Sequence, residues 1–543
     1  MSWGHVISKN LVHWTFAWNP VALKPDRKYD QDGIFTGCMG LSKSNKLTVF
    51  YSSVARLPFH WSTTPYPRGA AGLSAATSTD GGETWVKYEG NPIIREEPQG
   101  LEVSGFRDPY IAEWQAMDRL RGTERSLYGL ISGGIRGQGP TTFLYACHPD
   151  DELNWVYLGP LVDLPSRLQP SLKWNSNYGI NWECTNFMTL TSPSGSTAQH
   201  FLILGSEGDR ERSHIKDFDL PPDLPARTIR SQQWLAGGLA RHPATGQTRL
   251  EYKYGGLLDH GSYYAANSFH DPKTQRRIVF GWIPEEDLPV TSAKRKGWNG
   301  CQALPREVYL LSISNVVGAL QSRLEDISCI DLERSPAEAG SLTIHTLGVR
   351  PLSELALLCD KAIVRQEFRD IALPTNATQS QHVMQLRTTN FRLTATIRLN
   401  TSMCSSVGLH LRHSSDFSTR TTLTFSLSNE QITVDRFHST TNQSINKCPE
   451  QGPFTLFTVC NPHSGLEELE VLTLSVFGDG DILEVFANDR FALATMVYTE
   501  GLKKYGNISL FAEGGRGAAV FEDVTVWDGL NEGQSVIGGR AAV

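Results

Sequence analysis

The feature that most constrains this chain is a repeated alternation of short β-type runs with turn-forming clusters, set against scarce helical periodicity. Runs rich in β-branched and aromatic residues, such as 47–51, 143–145, 201–204 and 278–282, stand between clusters of Gly, Pro, Asn and Asp. Runs of that length and composition read as strands. The phrase Ser78-Thr79-Asp80-Gly81-Gly82-Glu83-Thr84-Trp85 is a tight-turn signature between two of them. A similar phrase, Ser8-Lys9-Asn10-Leu11-Val12-His13-Trp14, sits near the start. Hairpins of this kind recur in propeller blades, each of which is a small antiparallel sheet. The reading is all-β through about residue 330.

A linker is predicted over 336–365, with a short helix after Pro351. Alternation then returns. Residues 391–399, 421–427 and 469–477 each read as a strand with one buried face, and in the third Leu472, Leu474 and Val476 point inward. Further strands are expected at 482–487 and 508–512, and Asn488-Asp489-Arg490 reads as a hairpin turn. Several strands with polar loops and little helix describe a β-sandwich over 366–543.

At 543 residues the chain is too long for one ordinary core, so two or more domains are expected. A net charge of -7 with 20% charged residues gives no reason to expect nucleic acid or an anionic membrane as partner. No apolar run is long enough to span a bilayer. Met1 leads straight into Trp3-Gly4-His5-Val6, so no signal peptide is visible, and extracellular and cytoplasmic locations both stay open. The 9 Cys are an odd number without C-x-x-C spacing, which argues against a zinc site or a disulfide framework, and no metal or cofactor is expected. N-x-S/T sequons at Asn376, Asn400, Asn442 and Asn507 favour secretion weakly. The chain holds 13 Trp; such rings stack on sugar faces, although β-rich cores account for most of them.

Two short motifs carry chemistry. Phe106-Arg107-Asp108-Pro109 and Trp182-Glu183-Cys184-Thr185-Asn186 each place one acid in a β-type context. Cleaving a glycosidic bond with retention needs two carboxyl groups across the bond, one as nucleophile and one as acid and then base. Work near neutral pH needs environments that push their pKa values apart. Surface acids in loops are the bland alternative. For Glu183 it is weak, because Trp182 and Cys184 flank it.

These motifs resemble two of the three catalytic motifs of glycoside hydrolase family 32, the invertases, inulinases and fructosyltransferases. Other segments resemble the family in the same order: Trp3-Gly4-His5, Asp32-Gly33-Ile34-Phe35-Thr36-Gly37, Asp259-His260-Gly261-Ser262-Tyr263-Tyr264-Ala265, Trp298-Asn299-Gly300 and residues 483–490. Phe59-His60-Trp61-Ser62 looks most like fungal fructosyltransferases and intracellular-type invertases. The resemblance implies a five-bladed β-propeller over 1–335, with an incomplete first blade, followed by the β-sandwich. It implies that Glu183 is the general acid/base. It implies that Asp108 binds fructose hydroxyls and stabilises the oxocarbenium-like transition state, with Arg107 beside it. It also places Phe35, Thr36, Trp61, Cys184, Tyr263 and Trp298 at the substrate. The implied substrate is sucrose or a short fructo-oligosaccharide, cleaved or transferred with retention, and a homodimer is left open.

One departure carries weight. The family's third motif, Trp-Met-Asn-Asp-Pro-Asn-Gly or a variant, holds the nucleophilic Asp and has no counterpart here. The chain opens on what resembles the segment after it. Asp32 is the nearest early acid, but its context matches the later pocket element, and Asp30 and Asp259 are no better supported. The expectation is little sucrose hydrolysis by this chain. The rival reading is a non-catalytic fructan-binding paralogue.

Overall fold

The computed structural model describes residues 1–40, 46–193, 195–208, 221, 223–334, 342–374, 380–499, 501 and 506–530. Part of the predicted linker and the sequon at Asn376 lie outside the described residues. The chain divides into two compact units: Met1–Arg210 with Ile229–Leu257 and Ala265–Phe269, and Glu211–Thr228 with Leu258–Tyr264 and His270–Val543.

The first unit is a series of antiparallel meanders. Strands β1 (Trp3–Ser8) and β2 (Trp14–Leu23) form a two-stranded sheet. Three four-stranded sheets follow in chain order. The first holds β3 (Gly33–Met39), β4 (Leu47–Val54), β5 (Ala71–Ser78) and β6 (Val86–Lys87). The second holds β7 (Val103–Glu113), β8 (Leu127–Ile135), β9 (Gly139–Cys147) and β10 (Val156–Pro160). The third holds β11 (Asn181–Thr191), β12 (Ala198–Glu207), β13 (Arg230–Arg241) and β14 (Thr248–Leu257). Each meander is a propeller blade, and the first strand β7 packs against both β3 and β11. Leu127–Ile135 and Gly139–Cys147 are buried at every position, their polar residues Ser132, Thr141 and Thr142 included. The predicted turn at 78–85 joins β5 to β6, where Ser78 Oγ and the Asp80 carboxylate accept the turn's amides.

The second unit carries two six-stranded sheets whose alternating apolar residues share one core. Phe391, Leu393, Ala395 and Ile397 all face it, as period-two alternation requires. This is the predicted sandwich. The Asn488-Asp489-Arg490 turn joins Ile482–Ala487 to Phe491–Met496, and a short 3₁₀ turn at Ser353–Leu358 follows Pro351. One predicted strand is divided. Residues 469–477 do not run through: Glu467–Leu469 pairs with Phe457–Cys460, and the longer strand is Leu472–Asp479. Glu470 explains the break, since its carboxylate accepts the Phe457 amide at 2.7 Å and pairs with Arg490 at 2.5 Å.

Candidate functional site

The site is built where β7 and β11 both lose their ladder register. β7 is irregular between Arg107 and Tyr110, and β11 between Glu183 and Asn186. Asp108 and Cys184 sit at these bulges with φ of 60° and 48°, in the left-handed region that non-glycine residues rarely enter. Pro109 suits such a place, because a residue without an N–H loses nothing where the ladder is broken. The freed amides are satisfied in the same way twice. Asp108 N–H donates to Ser52 Oγ on β4 at 2.7 Å, and Thr185 N–H donates to Ser132 Oγ on β8 at 2.8 Å. Cys184 N–H donates to Asp108 Oδ2 at 3.3 Å, which ties the two bulges together. Bulges of this kind re-aim side chains, and the backbone strain they hold marks a candidate site.

Arg107 is the centre of the cluster. Its Nε and Nη2 reach Glu183 Oε1 at 2.9 and 2.6 Å, and Nη2 reaches Glu207 Oε2 at 3.1 Å. Asp108 Oδ2 lies 3.9 Å from Nε. Arg107 Nη1 is buried without a hydrogen-bond partner among the described residues. Three carboxyls around one guanidinium cannot all ionise cheaply in a buried place. Burial first, with the charge of Glu183 adding to it, pushes Asp108 up to about 6 against the pull of Arg107. The same causes push Glu207 up to about 7. Burial pulls Arg107 down, but the charges of Glu183, Glu207 and Asp108 hold it well above its ordinary range. Glu183 keeps 20% of its side chain exposed, more than Asp108 or Glu207.

Aromatic groups wall one side. The Phe59 ring lies 5.5 Å from the Arg107 guanidinium carbon, and Phe35 and Tyr66 lie 5.9 and 5.7 Å from Phe59. Trp61 sits 4.8 Å from the His60 ring. Burial, then the nearby Arg107 charge, lowers the His60 imidazole, with Glu183 opposing. Cys184 is buried; burial, then the charges of Asp108 and Glu183, holds its thiol well up, and the Thr36 hydroxyl bonds it. The structure thus gathers Glu183, Asp108, Arg107, Phe35, Thr36, Trp61 and Cys184 in one unit. Tyr263 and Trp298 belong to the other unit. There Tyr263 is buried, 3.9 Å from the Arg306 guanidinium carbon, while Trp298 is 46% exposed with the Lys296 ammonium 3.8 Å from its ring centre.

The early acids are committed elsewhere. Asp30 is buried against Lys87 Nζ at 2.5 Å, and Asp32 accepts the Leu57 amide at 2.7 Å. Asp259 pairs with Arg306 at 2.8 Å. Sequence reading missed Glu207, which also accepts Asn181 Nδ2 at 2.9 Å. No local signal marks it: Glu207 closes strand β12 before Gly208 as an ordinary strand end does.

The profile of the glycosyl hydrolases family 32 N-terminal domain matches residues 1–319, and that of the family's C-terminal region matches 360–528. An acid β-fructofuranosidase of Solanum lycopersicum is 27% identical over 371 residues, covering 67% of this chain and 50% of that protein. A fructan 6-exohydrolase of Beta vulgaris is 28% identical over 321 residues, covering 57% and 45%. This chain therefore spans about half the length of the curated relatives it matches. Among solved structures, a fructosyltransferase from A. japonicus aligns with a TM-score of 0.85 at 26% identity, over 97% of this chain and 88% of that one. Aspergillus kawachii β-fructofuranosidase complexed with glycerol aligns at 0.84 and 28%, with the same coverage. The fold is the five-bladed β-propeller followed by a β-sandwich.

Proposed function

Because the chain belongs to glycosyl hydrolase family 32, we propose that it acts as a retaining β-fructofuranosidase or fructosyltransferase on sucrose or short β-fructans. The observation that carries this reading is the convergence of Glu183, Glu207 and Asp108 on Arg107. Glu183, the most exposed of the three acids, donates a proton to the leaving oxygen and later takes one from water or a sugar acceptor. Asp108, once ionised, opposes the positive charge that develops on the fructosyl ring. Arg107 keeps Glu183 in place and offers Nη1 to a sugar hydroxyl. Glu207 accepts from another hydroxyl. Phe35, Thr36, Trp61 and Cys184 complete the substrate contacts in this proposal. Catalysis is assigned to residues 1–335, joined through 336–365 to the sandwich at 366–543, and a homodimer remains compatible with it.

Retention also needs a carboxylate on the face opposite Glu183. Asp30, Asp32 and Asp259 are each held by a structural partner, so none supplies it. The rival reading is a fructan-binding protein without turnover. Fructose release from sucrose and 1-kestose separates the two. The 543-residue chain should release little, and the same chain extended upstream by an Asn-Asp-Pro motif should release it readily. Strong release by the unextended chain would assign the nucleophile to one of its own acids; silence from both supports the binding protein.

A further inference from the structure

The loop between β4 and β5 carries Phe59, His60 and Trp61 and is tied down at three places. Its start is held by Asp32, which accepts the Leu57 amide. Its end is held by Glu97, which accepts the Gly69 amide at 3.1 Å, and by Arg68, which bonds Glu96 at 2.9 Å. Between these, residues 60–63 close a tight turn. Thr63 N–H donates to the His60 carbonyl at 2.9 Å, and His60 N–H donates to Thr63 Oγ1 at 3.0 Å. That apex is held from outside the loop by Arg136, whose Nη2 donates to the Trp61 carbonyl at 3.4 Å and to the Thr63 carbonyl. Arg136 follows β8, and its own amide donates to the Glu102 carbonyl at 2.8 Å, directly before the strand that bears Arg107 and Asp108. One residue therefore joins the loop apex, through its guanidinium, to the base of the acid-bearing strand, through its backbone amide.

Position decides what the apex touches. Phe59 lies on Arg107, and His60, next in the chain, is exposed while feeling the charges of both Arg107 and Glu183. Glu183 is the acid that meets the leaving oxygen in the reading above, so exposed groups beside it face the departing sugar rather than the fructosyl ring. We propose that Arg136 is a positioning residue. It holds the 60–63 turn beside the acid cluster and so sets how tightly the sugar on the leaving side of the scissile bond is bound. This rests on the fructosidase reading and specifies its acceptor side. The same grip governs the contest between water and a second sugar for the intermediate, because an acceptor enters where the leaving sugar departs.

The test compares two ligands by titration calorimetry on the 543-residue chain. Sucrose fills both sides of the bond, and free fructose fills only the fructosyl side. Arg136→Ala should weaken sucrose about ten-fold and fructose by less than about two-fold, since misplacement of a contact loop costs affinity where it contacts. Arg136→Lys, which keeps a cation able to reach one carbonyl, should recover part of the loss. Amide exchange over 58–64 should quicken in Arg136→Ala, with the thermal midpoint little changed. Equal losses for both ligands would overturn the positioning role, as would unchanged sucrose affinity with faster exchange or unchanged exchange. A parent chain that binds neither sugar would remove the fructosidase reading, and this inference with it.

Discussion

At the scale of single residues, the behaviour of the site follows from too many acids around one cation. Glu207 is largely buried, and its carboxyl is raised from an ordinary 4.5 to about 7. A raised carboxyl binds its proton more tightly folded than unfolded. It therefore costs stability as pH rises from the unfolded pKa, and the full cost is reached above the folded one. Glu207→Gln removes that cost. Its stability relative to the parent should grow between pH 4.5 and about 7 and level off above. Denaturant melts of both proteins across pH 4 to 8 check this; a flat difference would place Glu207 outside the coupled cluster. Glu183 stood out in the sequence because Trp182 and Cys184 make a surface explanation weak and its segment resembles a family motif. Glu207 was not, because Ser206-Glu207-Gly208 reads as an ordinary strand end until folding brings Arg107 to it from 100 residues away.

At the scale of elements, the bulges do the aiming, and a glycine makes room for them. A Cβ on Gly105 would lie 2.5 Å from Asn181 Oδ1 and 2.8 Å from Arg107 Nη1, both closer than contact allows. Gly105→Ala should therefore displace Arg107 or Asn181, cost roughly 1–3 kcal/mol, and weaken sugar binding. Calorimetric unfolding and a sucrose titration measure the two effects. A protein with parental stability and affinity would show that the β7 start is looser than the geometry states. Strands and tight turns were legible because alternation and turn residues are local signals, as at 391–399 and 78–85. The bulges were not, since register depends on the partner strand. The break at Glu470 was hidden for the same reason: its partner Arg490 lies across a hairpin.

At the scale of the whole molecule, the second unit is fastened by buried ion pairs between distant segments. Arg306 is fully buried and reaches Asp259 at 2.8 Å and Glu484 at 3.0 Å, with the Tyr263 ring against its guanidinium. Arg436 is likewise buried, on Asp287 at 2.8 Å, and Arg227 shares that carboxylate. Removing one partner of such a group leaves uncompensated buried charge, which costs about 3–5 kcal/mol. Arg306→Ala should lower stability by that amount. Replacing Arg306, Asp259 and Glu484 together by apolar residues of like volume should recover much of it. Urea unfolding of the two variants decides the matter, and an Arg306→Ala protein as stable as the parent would contradict the account. The order of propeller then sandwich was legible from strand-sized runs and family motifs. Tyr263 beneath Arg306 was not, because the sequence phrase around it says nothing of a cation 43 residues later.

In the proposed fructosyl-transferring site centred on Arg107, Glu183 serves as the acid. The most direct test is sucrose turnover by the form of this chain that cleaves sucrose, with and without Glu183→Gln. An amide cannot donate the proton the leaving oxygen needs, so turnover should fall by about 10²–10⁴-fold while sucrose still binds. Turnover within a few-fold of the parent would remove Glu183 from the chemistry and contradict the account.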